Sequence, residues 1–386
     1  MAEWVEKKIS DIGTVVGGAT PSTKKSENYE DGKIAWITPK DLSTFSGRYI
    51  ERGERNITEI ALKSCSTQLL PPNTVLFSSR APIGYVAIAA NEVCTNQGFK
   101  SVIPNENTDP LFLFYLLKYN KDKIEGMGSG TTFKEVSGNT MKNIVVNVPT
   151  DKKVQEKIAA ILGSIDDKIE ENEQINNNLE QQAQAIYQQM FIDNARSDWT
   201  EGTLSDIADI TMGQSPSGSS YNEDGTGTIF FQGRAEFGFR FPSVRLYTTE
   251  PKRMARSNDT LMSVRAPVGD LNVAHTDCCI GRGLAAIHSK SNHQSFVLYT
   301  MFLLKKQLDV FNGEGTVFGS INRNSLNDMP ILIPSGDILD EFERIVAPMD
   351  LTIRNNYDEN CRLQDIRDTL LPCLMSGELD ISDIDL

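Results

Sequence analysis

The sequence predicts an α+β protein with two tandem α/β domains, separated by two long antiparallel helices that form a coiled coil in a pseudo-two-fold arrangement. Two observations lead to this prediction. The 386-residue chain repeats itself once along most of its length, and each copy ends in a segment of about 40 residues with helical apolar spacing. The composition, 39% hydrophobic and 23% charged, is typical of a globular protein.

The repeat is visible as motifs that recur in the same order. Ser10-Asp11-Ile12 returns as Ser205-Asp206-Ile207, at an offset of 195 residues. Arg80-Ala81-Pro82-Ile83-Gly84 returns as Arg265-Ala266-Pro267-Val268-Gly269, at an offset of 185. The second offset then holds without a gap as far as Pro149 and Pro334. So constant a register indicates a tandem duplication, and two copies are too few for a solenoid.

Each copy begins with a turn-rich part. Short apolar runs such as Ile34–Ile37 and Thr74–Phe77 are typical of strands. One helix interrupts them, and its start is predicted at Asp109-Pro110, because Asp is a favoured cap and Pro suits the first helical position. Residues 295–308 are the equivalent helix of the second copy. These features predict a compact α/β domain in each half.

The segment from Lys152 to Phe191 contains no Pro and a single Gly, and its apolar residues recur every three or four positions. A helix of that length spans about 60 Å and exposes one apolar stripe, so the two helices are predicted to pack on each other. The residues predicted for this seam, or for contact with partner subunits, are Ile158, Ile165, Ile169, Leu179, Ile186, Met349, Ile353, Leu363 and Leu370.

Four asparagines lie on the predicted stripes: Asn172, Asn176, Asn356 and Asn360. An Asn inside a helical seam lowers stability but can set the register and orientation of the partner helix. An Asn at the edge of the stripe is simply solvated. The sequence leaves both interpretations open.

These patterns divide the chain into four predicted segments: a first domain at 1–150, a central spacer helix at 151–196, a second domain at 197–336, and a C-terminal helix and tail at 337–386. The formal net charge of -14 is distributed among them as +1, -4, -2 and -9. The domains are therefore close to neutral, and the acidic total does not exclude nucleic acid as a partner.

One stretch of the second domain is basic. Residues 234–265 contain seven Arg or Lys and three acidic residues, interleaved with aromatic side chains. This pattern is typical of a nucleic-acid interface, and its alternative is a solvated basic loop.

Motifs for catalysis are missing from the sequence. It has neither a phosphate-binding P-loop nor the Asn/Asp-Pro-Pro-Tyr/Phe tetrapeptide of adenine methyltransferases. His275, Cys278 and Cys279 suggest a metal site, but of the three only Cys279 has a matching residue, Cys94, in the first copy. We therefore predict a binding protein without catalytic residues, metal or cofactor in this chain.

The same sequence predicts a location in the cytoplasm. No apolar run approaches the roughly 18 residues that a membrane span needs. The N-terminus lacks the apolar core of a signal peptide, and six Cys in so long a chain do not indicate a disulfide framework.

The chain resembles the specificity subunits of type I restriction-modification systems. The resemblance covers nearly the whole chain and is carried by motifs that occur once in each half. Those of the first half are Ser10-x-Ile12, Gly18-x-Thr20-Pro21-Ser22, Ser79-Arg80-Ala81-Pro82-Ile83-Gly84, Gly130-Thr131-Thr132-Phe133 and Val146-x-Val148-Pro149 leading to Gln155-x-x-Ile158-Ala159, and Leu374-Met375-Ser376-Gly377-Glu378-Leu379 follows the last helix.

The resemblance implies two target-recognition domains, each reading one half of a bipartite DNA sequence, with the gap set by the helices. It also implies two methyltransferase subunits docked on the helices, and two restriction subunits that join the complex. S-adenosylmethionine, ATP and Mg are then expected on those partners and not on this chain.

Base readout requires hydrogen-bonding side chains on loops, and they should differ between the copies because the half-sites usually differ. The predicted DNA-contacting residues are Thr38, Lys40, Ser79 and Arg80 in the first domain and Gln232, Arg234, Ser263 and Arg265 in the second. Because Arg80 and Arg265 are identical in the two copies, we expect them to contact phosphate or to stabilise the fold.

Two other functions remain open at this point. The chain could be the recognition half of a stand-alone DNA methyltransferase, against which the missing tetrapeptide argues. It could also be a two-headed coiled-coil scaffold, which would have no sequence-dependent affinity for DNA.

Overall fold

The computed structural model describes residues 3–130, 134–313 and 319–381. Thr131, Thr132 and Phe133 of the first Gly-Thr-Thr-Phe motif, and residues 314–318 of its counterpart, lie outside the described residues. The contacts divide the chain into two compact units: Met1–Glu171 with Glu359–Leu386, and Asn172–Asp358. Each unit thus combines one globular domain with half of each long helix.

The globular part of the first unit contains ten strands and six α-helices within the described residues. The strands are β1 (Trp4–Lys8), β2 (Gly13–Gly17), β3 (Ile34–Ile37), β4 (Tyr49–Ile50), β5 (Arg55–Ile57), β6 (Val75–Ser79), β7 (Ile83–Ala89), β8 (Val93–Thr95), β9 (Lys100–Pro104) and β10 (Val145–Pro149). The helices are α1 (Ile9–Ile12), α2 (Pro39–Ser43), α3 (Glu59–Ser64), α4 (Pro110–Tyr119), α5 (Lys121–Gly126) and α6 (Gly138–Asn143).

These strands form two main sheets. One has the order β2-β9-β6-β7-β4 and the other the order β5-β3-β8, while β1 pairs with β10. β3 and β8 run parallel, whereas β2 and β6 are both antiparallel to β9. The apolar side of α4 and the first turns of the next long helix share one core with the larger sheet, including Phe77, Phe112 and Ile158.

The long helix α7 spans Lys152–Tyr187 and continues as a π-helical segment over Gln188–Asp193. The second globular part then contains β11 (Thr200–Thr203), β12 (Ala208–Met212), β13 (Tyr221–Asn222), β14 (Thr228–Phe231), β15 (Leu246–Thr248), β16 (Met254–Ala255), β17 (Thr260–Ser263), β18 (Leu271–Val273), β19 (Cys278–Ile280), β20 (Leu284–Ser289) and β21 (Pro330–Ile333). Its helices are α8 (Leu204–Ile207), α9 (Gln294–Leu308) and α10 (Arg323–Asn327), and α11 (Gly336–Ser376) ends the fold.

The second domain repeats the connectivity of the first. Its sheet β12-β20-β17-β18 corresponds to β2-β9-β6-β7, and β14 runs parallel to β19 as β3 does to β8. The duplicated α/β plan with two long helices, predicted from the sequence, is therefore confirmed. The helix start at Asp109 is also confirmed, because the Asp109 carboxylate accepts a hydrogen bond from the Phe112 backbone at 2.7 Å.

The prediction of one helix per domain was incomplete. The first domain also contains α1, α2, α3, α5 and α6, each of four to six residues. Helices that short show too little periodicity to be recognised in a sequence.

Within each unit the halves of α7 and α11 pack antiparallel on each other. In the first unit Arg367 donates to Asp166 at 2.8 Å, and the Asn360 amide lies 3.4 Å from the Ile169 carbonyl oxygen. In the second unit the Asn356 amide donates to the Asn176 side chain at 2.8 Å.

Every residue predicted for the seam is at least half-buried. Ile158, Ile169 and Ile353 are buried. Half-buried positions make up the rest of the predicted seam: Ile165, Leu179, Ile186, Met349, Leu363 and Leu370. Of the four asparagines, Asn172, Asn176 and Asn360 are buried and Asn356 is half-buried, so the seam interpretation is the one that the structure supports.

Candidate nucleic-acid interface

Four loops of the first domain meet where strands end. We call them loop cluster 1, and they are Gly18–Thr20 after β2, Thr38–Lys40 after β3, Ser79–Arg80 at the end of β6, and Asn96–Gly98 between β8 and β9. The topology explains why they meet. β3 and β8 are parallel neighbours, and β2 and β6 both flank β9 in the opposite direction, so all four carboxyl ends lie around the turn at 96–98.

Backbone hydrogen bonds hold loop cluster 1 together. The Asn96 amide donates to the Ile37 carbonyl at 3.1 Å, and the Ser79 amide donates to the Gly98 carbonyl at 2.7 Å. Gly18 lies so close to the turn that a Cβ there would be 2.2 Å from the Asn96 carbonyl oxygen. The backbone of the cluster is therefore a tightly packed platform.

The second domain builds the same arrangement from different residues. Its loop cluster 2 consists of Gly213–Ser215 after β12, Gln232–Arg234 after β14, Ser263–Arg265 at the end of β17, and Gly281–Gly283 between β19 and β20. The Gly281 amide donates to the Phe231 carbonyl at 2.8 Å, and the Val264 amide donates to the Gly283 carbonyl at 2.9 Å. These two bonds correspond in position to the two of cluster 1.

The structure thus brings each set of predicted DNA-contacting residues into one cluster, but it gives two of them an internal role. Ser79 and Ser263 are buried. The Ser79 hydroxyl donates to the Gly98 carbonyl at 3.1 Å, and that of Ser263 donates to the Pro267 carbonyl at 2.7 Å. Because these hydroxyls are enclosed and already bonded, we exclude both serines from the candidate interface.

Thr38 and Lys40 lie at the start of α2. Thr38 is the N-cap residue of this helix and forms a capping box with Asp41, whose carboxylate accepts a hydrogen bond from the Thr38 hydroxyl at 2.6 Å. The hydroxyl therefore has a structural partner. Lys40 is exposed and donates to Glu54 at 2.7 Å, and this hydrogen bond raises the Lys40 pKa. An exposed pair of this kind is weak and leaves Lys40 free to exchange its partner for a phosphate.

Arg80 and Arg265 occupy equivalent places at the outer end of β6 and β17. Arg80 is partly exposed, with its guanidinium 3.8 Å from the Glu135 carboxylate. Arg265 is exposed, and it forms no ion pair with another described residue. The two arginines thus hold equivalent positions in the two domains, and whether they contact phosphate or stabilise the fold stays a prediction.

Gln232 and Arg234 are exposed on the loop after β14. Arg234 donates to the Asp270 carboxylate, which also accepts from Lys305. Burial raises the Asp270 pKa, but the hydrogen bonds from Lys305 and Arg234 outweigh it and hold the pKa below its usual value. Arg234 is therefore held in place by a charged partner, whereas the Gln232 side chain is open to solvent.

Sequence reasoning missed two exposed side chains at the centre of the clusters. Gln97 and Arg282 each occupy the middle of the turn that the other three loops surround. The signal that could have found them is the repeat itself, because the offset of 185 aligns Gln97 with Arg282 between two matched positions.

The basic stretch at 234–265 does not form one continuous surface. Arg240 is buried and donates to Asp350 at 3.0 Å and to Glu180 at 2.9 Å, both on the long helices of its own unit. Arg245 pairs with Glu223 and Glu236. Arg240 is therefore unavailable to a nucleic acid, because it is buried and its charge is neutralised within its own unit. Arg245 stays exposed, and its ion pairs lie at the surface.

The family model described as type I restriction modification DNA specificity domain matches residues 1–181 and 196–356. The chain belongs to this family of specificity subunits. It is 34% identical to the type I restriction enzyme MjaIX specificity subunit of Methanocaldococcus jannaschii, over 99% of this chain and 95% of that protein. It is 25% identical to the HindI specificity subunit of Haemophilus influenzae, over 98% of this chain and 100% of that protein.

A solved structure shows the same fold. The crystal structure of a type I restriction-modification S subunit from M. genitalium matches with a TM-score of 0.62 at 17% identity, covering 97% of this chain and 96% of that one. The specificity subunit described here accordingly has two recognition domains in tandem. Its relatives are named specificity subunits of type I restriction enzymes.

The described part of this specificity subunit contains no cluster of three or more His, Cys, Asp or Glu side chains suited to a metal ion. His275 bonds Asp358 at 2.7 Å, while Cys278 and Cys279 are buried in β19. Among the helices that the structure describes, none is long and apolar enough to cross a bilayer.

Proposed function

We propose that the two recognition domains each read one half of a bipartite DNA target, through loop cluster 1 and loop cluster 2. The observation that carries this proposal is the repetition of one rigid loop platform with different exposed side chains. A shared platform places side chains at equivalent positions, and their different chemistry lets the two domains read different half-sites.

The contacts divide into two kinds. Arg80, Arg265 and Lys40 present cations at the rim of the clusters and bind phosphates. Such contacts position the protein on the duplex but do not distinguish one base sequence from another. Gln232 and Arg234 present hydrogen-bonding groups beside the central turns, where base edges are read. Thr38 supports the first cluster by capping α2.

The long helices supply the gap between the half-sites and the docking surface for other subunits. Both α7 and α11 pass without interruption from one unit to the other. The segments that contain them, 151–196 and 337–386, are acidic, with net charges of -4 and -9. Two methyltransferase subunits dock on these helices, and two restriction subunits join through the complex. S-adenosylmethionine, ATP and Mg belong to those partners.

The test is methylome sequencing of the host with and without the gene, in the presence of an active partner methyltransferase. We expect adenine methylation at one bipartite motif with a fixed gap to disappear when the gene is deleted. An unchanged methylome would contradict the proposal and would favour the two-headed scaffold.

A further inference from the structure

The turn at the centre of each loop cluster is held by the same contacts in both domains. In the first domain the turn at 96–98 is bonded to the ends of β3 and β6, and in the second the turn at 281–283 is bonded to the ends of β14 and β17. A hydroxyl from the loop after β2 or β12 also reaches each turn. Thr20 donates to the Gln97 side chain, and Ser215 accepts from the Arg282 amide at 3.3 Å.

Several residues in and around each central turn are glycines, because the neighbouring atoms leave no room for a Cβ. A Cβ on Gly98 would lie 2.8 Å from the Pro39 ring, and one on Gly283 would lie 2.9 Å from the Gln232 carbonyl oxygen. A Cβ on Gly213 would lie 2.1 Å from the Gly281 carbonyl oxygen. The backbone is therefore tightly packed on each side of the central residue, whose side chain is exposed.

At this position the two copies differ in chemistry. Gln97 is exposed, and its side-chain amide bonds the Thr20 hydroxyl. Arg282 is exposed, and its guanidinium has no ion-pair partner among the residues that the structure describes. A Gln side chain is suited to adenine and an Arg side chain to guanine in the major groove.

We infer that Gln97 and Arg282 are specificity-determining residues, each reading one base pair in the half-site of its own domain. This rests on the proposed function of the clusters and deepens it. The neighbouring pair Arg80 and Arg265 supplies the contrast, since a phosphate contact needs the same residue in both copies whereas a base contact does not.

The test is substitution by the residue of the other copy. Plasmids carrying R282Q or Q97R are expressed with the partner methyltransferase in a host that lacks the gene, and the methylated motifs are sequenced. R282Q is expected to change one base pair in one half-site, and Q97R one base pair in the other. The gap and the remaining positions should stay as in the wild type.

Binding of the purified complex to duplexes varied at that base pair provides a second readout, which also serves if a variant methylates too little DNA to define a motif. The loss of a bidentate contact should reduce the preference for the original base pair about tenfold or more. The matched control is R323Q, which removes an exposed arginine of α10 outside the clusters and should leave the motif and the preference unchanged.

The inference is overturned if R282Q and Q97R keep the wild-type motif and base-pair preference, whatever their activity, or if either one alters both half-sites. Failure of the proposed function gives a different result, because the wild-type chain itself would then direct no bipartite motif.

Discussion

Two arginines attach the globular domains to the helices of their own units. Arg48 is buried and donates to Gly163, Asp167 and Glu170 of α7, while Tyr115 of α4 donates to Asp166 at 2.6 Å. Burial by itself would lower the Arg48 pKa, but the hydrogen bonds to Glu170 and Asp167 raise it by more than burial lowers it. This guanidinium therefore stays charged.

The second unit has a corresponding network around Arg240. Tyr299 takes the place of Tyr115 and Asp350 that of Asp166, with Tyr299 donating to Asp350 at 2.9 Å. Burial raises the Tyr299 pKa well above its usual value and also raises that of Glu180, although Arg240 opposes both shifts. Removing one member of such a group leaves buried charge without compensation.

Substituting Arg240 by Ala should therefore destabilise the second unit strongly. We expect the free energy of unfolding to fall by about 3 kcal/mol, because Asp350 and Glu180 would lose a buried partner. Urea denaturation followed by circular dichroism measures the change. The control is Arg344→Ala, which removes an exposed arginine 3.9 Å from Glu341 and should cost about 1 kcal/mol or less. Equal losses in the two variants would contradict the role given to Arg240.

The long helices owe their pairing to an apolar stripe that polar residues interrupt. Ile353, Phe342 and Val346 of α11 are buried in the core of the second unit, and Asn176 and Asn356 meet along the same stripe. Other registers would place these amides against apolar side chains, where unpaired polar groups are costly. The asparagines thus favour one register of α7 against α11 over other registers that would bury a similar apolar area.

A double-mutant cycle at Asn176 and Asn356 tests this account. Replacing either one by Leu should lower the free energy of unfolding by about 1–3 kcal/mol, because the other amide loses its partner. The double variant should recover stability, with a coupling energy of at least about 0.5 kcal/mol. Additive losses would show that the hydrogen bond contributes nothing specific. Asn177→Leu, an exposed position on the same helix, is the control.

The duplicated chain as a whole suits a target in two parts, because each copy carries its own loop cluster and half of each helix. If the helices set the gap, lengthening both should change the gap alone. Inserting seven residues after Glu171 and seven after Asp358 adds about 10 Å to each helix and keeps the apolar stripe nearly in phase. We expect the methylated motif to gain about three base pairs in its gap at roughly 3.4 Å per base pair.

Methylome sequencing of that variant supplies the readout, and both half-sites should remain as in the wild type. A change in either half-site with a constant gap would show that the helices take part in reading bases. Adding the same seven residues to the exposed loop at 223–227, outside both helices, should leave the gap unchanged.

The sequence by itself determined the architecture of this protein. Motifs that recur in the same order in both halves establish the duplication, and the spacing of apolar residues defines the long helices. Both signals can be read from the linear sequence, because neither requires knowledge of tertiary contacts. Even the seam residues Ile158 and Ile353 could be named from spacing alone, and each is buried.

Only the tertiary structure decided which side chains of the clusters face outward. Ser79 and Arg80 are adjacent in the chain, yet one is enclosed beneath the turn at 96–98 while the other reaches solvent. From the sequence, Arg240 was predicted to belong to a basic surface. In the structure it pairs with two carboxylates, on residues 60 and 110 positions away in the sequence. Exposure and charge pairing depend on contacts between distant segments, and a linear pattern does not contain them.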